Sequence, residues 1–214
     1  MSQAVRVKFC GLTRPEDVQA AVRMGVDYLG FVCVPGSRRC LDLRRASEWL
    51  QGLDTGEAKR VGVFQDQAAT HINHLVRRLR LDLVQLHGHE PRDFARTLDV
   101  PVIVVRRPSA RGGPVLPLEP NVFAALLDAE NEAQESGGLG LRLEVSEIRR
   151  LAASLPPSAR VILSGGLNAD NVRELVDACR PFAVDVSSGV ESAPGIKDPS
   201  RMRAFLQALG RFRA

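Results

Sequence analysis

A thiol at Cys10, an imidazole at His87 and carboxyls at Asp128 and Asp185 stand at or near the ends of apolar runs, where a fold could bring them to one surface. Cys10 closes the run that begins at Val5 and is flanked by Lys8 and Gly11. A cysteine ending a core segment is most often a small buried apolar residue. A nearby cation alters that reading, because it stabilises a thiolate, which is both base and nucleophile. Asp128 ends Phe-Ala-Ala-Leu-Leu and reads either as a cap or loop carboxylate or as a general acid. Asp185 lies inside Phe-Ala-Val-Asp-Val, where a lone charge is costly and a ligand or partner is needed. Two turns, Ser164-Gly165-Gly166 and Ser187-Ser188-Gly189, follow apolar runs of their own. Glycines let a backbone approach a ligand closely, and unpaired N–H groups at a helix start favour an anion, so both turns suit a phosphate. Arg39, next to Arg38, offers a planar fork for a carboxylate or phosphate. His87 reads first as a rim histidine, and His71 and His74 as solvated residues on one helix rather than a metal pair.

The elements that must position these groups alternate from end to end. Strand-like runs occur at Val5–Cys10, Tyr28–Val32, Arg60–Phe64, Leu83–Gln85, Val102–Val105, Val122–Leu127, Arg160–Leu163 and Phe182–Val186. They are continuously apolar rather than alternating, as parallel strands covered on both faces are. Between them lie helical patterns. Val172, Leu175, Val176 and Cys179 form one face after Asn168, while Thr13 and Glu16 fit a capping box and Gly25 a helix stop. Eight strands in 214 residues give roughly 27 residues per unit, a compact version of the closed (β/α)8 TIM barrel. An open doubly wound sheet is the alternative, since alternation alone does not separate the two. No linker divides the chain, so residues 1–214 are expected to form a single barrel domain. The prolines at 108, 114 and 117 predict an irregular or missing fifth helix in Arg106–Pro120. Residues 128–140 read as a long functional loop. In such a barrel the active groups sit at the C-terminal strand ends, and the loops after strands 7 and 8 hold phosphate. The strand map therefore predicts one rim carrying Cys10, His87, Asp128, Gly165, Gly166, Asp185, Ser187, Ser188 and Gly189.

Composition narrows the function further. With 44% hydrophobic and 25% charged residues the bulk of the chain is not disordered. The net charge of +4 is spread over every unit, which fits an anionic small molecule and gives no stripe for nucleic acid. No apolar run approaches the ~18 residues of a membrane span, and the first residues lack a signal-peptide core, so a cytoplasmic protein is expected. Cys10, Cys33, Cys40 and Cys179 show no CxxC spacing and make no zinc signature with the histidines; reduced thiols and no metal are expected.

Taken in order, Lys8-Phe9-Cys10-Gly11-Leu12-Thr13, Gly30-Phe31-Val32, Ser37-Arg38-Arg39, Val61-Gly62-Val63-Phe64 and Gln85-Leu86-His87-Gly88 resemble the phosphoribosylanthranilate isomerase family. Leu126-Leu127-Asp128, Gly165-Gly166-Leu167-Asn168, Asp185-Val186-Ser187-Ser188-Gly189-Val190-Glu191 and Gly195-Ile196-Lys197-Asp198 extend the resemblance to the last helix. It implies an isomerase of tryptophan biosynthesis, free of metal and cofactor, acting on a small phosphorylated substrate as a monomer or homodimer. The reaction implied is the Amadori rearrangement of N-(5-phosphoribosyl)anthranilate to 1-(o-carboxyphenylamino)-1-deoxyribulose 5-phosphate. By the same resemblance Asp128 is the general acid and Cys10 the general base. Phosphate would rest near Gly166, Ser188 and Gly189, Arg39 would meet the anthranilate carboxylate, and Asp185 would help hold the substrate. The chain departs from the family pattern at Gly137-Gly138-Leu139-Gly140-Leu141-Arg142-Leu143, where polar loop residues are usual, and at Cys40, where tyrosine is usual. The alternatives are a sugar-phosphate isomerase of the ProFAR type, which carries aspartate in place of Cys10, and a non-catalytic phosphate-binding barrel.

Overall fold

Short apolar strands without a wet face must be covered on both sides, and here they are covered by closing on themselves. The computed structural model describes residues 4–107, 119–128 and 145–211. Its parallel strands are β1 (Arg6–Phe9), β2 (Tyr28–Val32), β3 (Lys59–Phe64), β4 (Leu83–Leu86), β5 (Val102–Arg106), β6 (Val122–Asp128), β7 (Val161–Ser164) and β8 (Ala183–Val186). Each pairs with the next, and β8 pairs with β1 from Arg6↔Ala183 to Phe9↔Val186, which excludes the open sheet. Among the described residues the outer layer holds α1 (Pro15–Arg23), α2 (Leu43–Gly52), α3 (Ala69–Leu79), α4 (Val145–Ala153), α5 (Val172–Cys179) and α6 (Pro199–Ala208). A 3₁₀ helix at Arg92–Thr97 replaces an α-helix between β4 and β5. Of Arg106–Pro120, where an irregular or missing fifth helix is expected, residues 108–118 lie outside the described residues, and so does all of the expected functional loop 128–140 except Asp128.

The strand period of two sorts the side chains. Val7, Phe9, Val84, Leu86, Ala125, Leu127, Val184 and Val186 join the large core between strands and helices. Their alternates Leu83, Ala124, Leu126, Ile162 and Ala183 fill a second cluster inside the barrel. By the same alternation Lys8, Gln85, Asp128, Ser164 and Asp185 point inward. Cys10 and His87, two residues beyond Lys8 and Gln85, continue those rows above the apolar plug.

Local signals hold with one exception. Asp42 caps α2 through the Arg44 and Arg45 amides, and Asp198 caps α6 through those of Ser200 and Arg201. Gly25, at φ 71°, ends α1 as its sequence predicts. The Thr13–Glu16 capping box does not form: Arg14 is the N-cap and makes no side-chain cap. Thr13 instead donates its hydroxyl to Gly195 O at 2.6 Å, in a hairpin made by β9 (Glu191–Ala193) and β10 (Ile196–Lys197). That hairpin follows a short 3₁₀ turn, Ser188–Val190, and is an addition to the eight repeating units.

Candidate active site

At the C-terminal mouth of the barrel a cavity of about 320 Å³ is lined by Cys10, Arg39, His87 and Asp128 together with Gly165, Gly166, Asp185, Ser187 and Ser188. Nine of the ten residues picked from the sequence therefore share one wall. The tenth, Gly189, lies just behind it: a Cβ there would sit 2.0 Å from Leu167 O, so only glycine lets the two phosphate-type turns touch. Gly165 and Gly166 adopt φ of 92° and 63°, left-handed values that keep backbone rather than side chain at the cavity edge. Asn171, 5% exposed, fastens that turn by donating to Gly166 O at 3.0 Å and accepting from Asn168 N at 2.9 Å.

Beneath the cavity runs a polar chain that the alternation made unavoidable. Lys8, wholly buried, donates to Asp185 Oδ2 and to Gln85 Oε1, each at 2.9 Å. An ammonium can only donate, so Gln85 presents its oxygen to Lys8 and its NH₂ to His87 Nδ1, 3.2 Å away. Nδ1 is thereby an acceptor and the ring proton of a neutral His87 belongs on Nε2, which faces Asp128 Oδ2 at 3.3 Å. The requirement that Asp185 be paired is met by Lys8. Its second oxygen, Oδ1, is buried without a hydrogen-bond partner among the described residues.

Electrostatics corrects one expectation. Burial works against the Lys8 ammonium, but the Asp185 carboxylate and the Cys10 thiol outweigh it and hold Lys8 above the usual lysine value. Burial likewise pushes the Cys10 thiol up, against the pull of Lys8 and Lys197. The neighbouring lysine does pull the thiol down, as expected of a nearby cation, but burial outweighs it and the net shift is upward. Dry surroundings cost the thiolate more than Lys8 returns, since Asp185 already takes much of that ammonium's field.

Arg39 is held rather than loose. Glu191, 4% exposed, takes its Nε at 3.0 and 3.1 Å and its Nη2 at 2.7 Å, while Arg39 lines the cavity. Burial alone would raise Glu191, but Arg39 and Lys197 hold it below the usual carboxylate value. Lys8 was visible in the sequence only as a neighbour of Cys10. Gln85, Asn171, Glu191 and Lys197 went unassigned as individual groups, although polar types inside apolar runs are the signal that would have marked Gln85. His71 and His74 are exposed, as predicted. No group of three or more His, Cys, Asp or Glu among the described residues is arranged to hold a metal ion.

A larger cavity, about 460 Å³, opens at the other end of the barrel between Arg6, Tyr28, Lys59 and Phe123. Those residues stand at the N-terminal ends of strands, the face that serves stability in this architecture. The edge-to-face Tyr28–Phe123 and Phe123–Phe182 contacts there fit that role.

Residues 7–208 match the model of the N-(5′-phosphoribosyl)anthranilate (PRA) isomerase family. An N-(5′-phosphoribosyl)anthranilate isomerase from Chromohalobacter salexigens is 45% identical over 212 residues, spanning 99% of this chain and 97% of the relative. One from Geobacter metallireducens is 41% identical, spanning 95% of this chain and 98% of the relative. The crystal structure of phosphoribosyl anthranilate isomerase from Thermotoga maritima superposes with a TM-score of 0.82 at 35% identity, over 97% of this chain and all of that one. A structure of the isomerase in complex with reduced 1-(o-carboxyphenylamino)-1-deoxyribulose 5-phosphate superposes at 0.78 with 33% identity, over 97% of this chain and 100% of that one. With the barrel closed, the predicted residues gathered at its mouth and the match running almost end to end, the chain belongs to the N-(5′-phosphoribosyl)anthranilate isomerase family, the isomerases of tryptophan biosynthesis.

Proposed function

We propose that in this isomerase Asp128 is the general acid and Cys10 the general base of the Amadori rearrangement. The observation that carries the reading is that both line one cavity with the two Gly/Ser turns. Asp128 gives its proton to the ribose ring oxygen as the C1′–O bond breaks. The anthranilate nitrogen supplies its lone pair to C1′, and a protonated Schiff base results. The Cys10 thiolate then takes the proton from C2′, whose electron pair forms the C1′–C2′ double bond and neutralises the nitrogen. In the last step the C2′ hydroxyl loses its proton and C1′ gains one, giving the ketone.

The surroundings suit each step. A thiolate whose proton affinity is raised by burial is the stronger base, and the cationic Schiff base beside it offsets the desolvation that raised it. The Nε2–H of His87 supports the Asp128 carboxylate once its proton has gone. Asp185 Oδ1 is a buried acceptor at the cavity wall, suited to a ribose hydroxyl. The phosphate rests on the Gly165-Gly166 and Ser187-Ser188 turns, with Gly189 setting their spacing, and Arg39 meets the anthranilate carboxylate. Every step is a proton transfer or a C–O cleavage that these side chains can serve, so the reading calls on no cofactor or metal. We read the enzyme as cytoplasmic, acting on a small phosphorylated substrate rather than nucleic acid or membrane, as a monomer or homodimer. No helix among the described residues is long and apolar enough to cross a membrane, and the Thermotoga maritima relative is described as dimeric.

The test is kinetic and genetic together. The wild-type chain restores growth without tryptophan to a strain lacking this step. Cys10→Ala and Asp128→Ala each lower kcat at least about 100-fold, the size of a general acid–base contribution. Near-normal turnover in either folded variant removes that residue from the mechanism.

A further inference from the structure

We propose that the buried Glu191–Lys197 pair is a positioning device that fixes the base and the carboxylate-holding guanidinium relative to each other. The role rests on the assignments of Cys10 and Arg39 made above.

The pair needs an explanation. Glu191 and Lys197 are 4% and 2% exposed, and burying an ion pair is seldom more stabilising than an apolar pair of the same size. They sit on β9 and β10, the hairpin that the barrel does not require for closure. Lys197 uses all three ammonium donors: Cys10 O at 2.5 Å, Ser187 O at 3.2 Å and Glu191 Oε1 at 2.8 Å. Two of those acceptors are backbone carbonyls of residues at the cavity wall. Ser187 Oγ also donates to Cys10 O at 3.1 Å, so one carbonyl joins the loops after β1 and β8. Glu191 in turn grips the Arg39 fork and accepts from Gly195 N at 3.3 Å. A single ion pair thereby ties the loops after β1, β2 and β8 to the hairpin. A third contact locks it from outside, where Lys197 N donates to Asp17 Oδ2 at 3.1 Å in α1.

Charge follows the same plan. Arg39 and Lys197 share the Glu191 carboxylate at the wall of a cavity meant for a phosphate and a carboxylate. The Cys10 thiol is faced by Lys8 from its own strand, Asp185 from β8 and Lys197 from β10. Removing Lys197 takes away a cation that favours the thiolate as well as the anchor of the Cys10 carbonyl.

The experiment separates the two ends. Lys197→Met lowers kcat about 10-fold with KM little changed, as a displaced catalytic group does. Peptide-resolved iodoacetamide labelling of its Cys10 moves to higher pH than in wild type. Glu191→Gln raises KM about 10-fold with the smaller effect on kcat, because the Arg39 fork loses its holder. Should Lys197→Met not fold, Glu191→Asp carries the test: it keeps every charge but retracts the carboxylate, and unchanged KM and labelling would overturn the proposal. Turnover surviving in Cys10→Ala sinks the base assignment and the proposal with it. An inactive Cys10→Ala beside Lys197→Met and Glu191→Gln proteins with wild-type kcat, KM and labelling profile sinks the proposal alone.

Discussion

Replacing Gly189 by alanine tests the phosphate cradle through its geometry alone, because no charge or hydrogen-bonding side chain changes. The new Cβ would lie 2.0 Å from Leu167 O, 3.0 Å from Leu167 C and 3.1 Å from Asn168 Cα, all backbone atoms that cannot rotate away. Ordinary contact begins near 3.4 Å, so the turns after β7 and β8 must separate by roughly 1.4 Å. Overpacking of this kind costs about 1–3 kcal/mol, which for a chain of this size lowers Tm by roughly 2–12 °C. The larger effect falls on binding. The Gly165-Gly166 backbone moves away from Ser187-Ser188, and a misplacement of about 1 Å can cost on the order of 100-fold in a positioned interaction. The assay is steady-state kinetics with inorganic phosphate as competitive inhibitor: KM and the phosphate inhibition constant should rise together, by about 10- to 100-fold, with kcat less affected. A folded Gly189→Ala enzyme whose phosphate inhibition constant matches wild type would show that the anion does not bridge these two turns.

Asn171→Ala removes the side chain that holds Gly166 O and Asn168 N; KM should rise while the Cys10 labelling rate stays as in wild type, and an unchanged KM would free the β7 turn from that support. Glu191 has a folded-state pKa below its ordinary 4.5. Its stabilising contribution is therefore complete above pH 4.5 and is lost as pH falls through the folded value. Urea unfolding between about pH 6 and pH 3 should show a steeper loss in wild type than in Glu191→Gln, and parallel curves would contradict the depressed value. Phe205, wholly buried in α6 and edge-on to Phe9 with ring centroids 6.2 Å apart, fastens the last helix to β1. Phe205→Ala should cost about 3–5 kcal/mol in urea unfolding and leave KM unaltered; a cost under about 1 kcal/mol would mean that the helix is anchored elsewhere.

The order and nature of the elements were legible in the pattern of the chain alone. Eight apolar runs with helical stretches between them specify parallel strands, because runs such as Val61-Gly62-Val63-Phe64 have no polar face to leave in water. All eight strands lie within a residue or two of the predicted limits. Glycines at the β7 turn and Asp128 at the end of β6 were legible because strand ends and turn chemistry are local signals. Tertiary structure decided the partners. Lys8 meets Asp185 across 177 positions, and Arg39 meets Glu191 across 152. Both pairings follow from closure of β8 onto β1 and from the hairpin beyond it, which no periodicity announces. The failed Thr13 cap has the same origin, its hydroxyl drawn to Gly195 from the far end of the chain. So does the raised Cys10 thiol: its proton affinity is set by how deeply the closed barrel excludes water and by which carboxylate already occupies Lys8, quantities that exist only once the chain has folded.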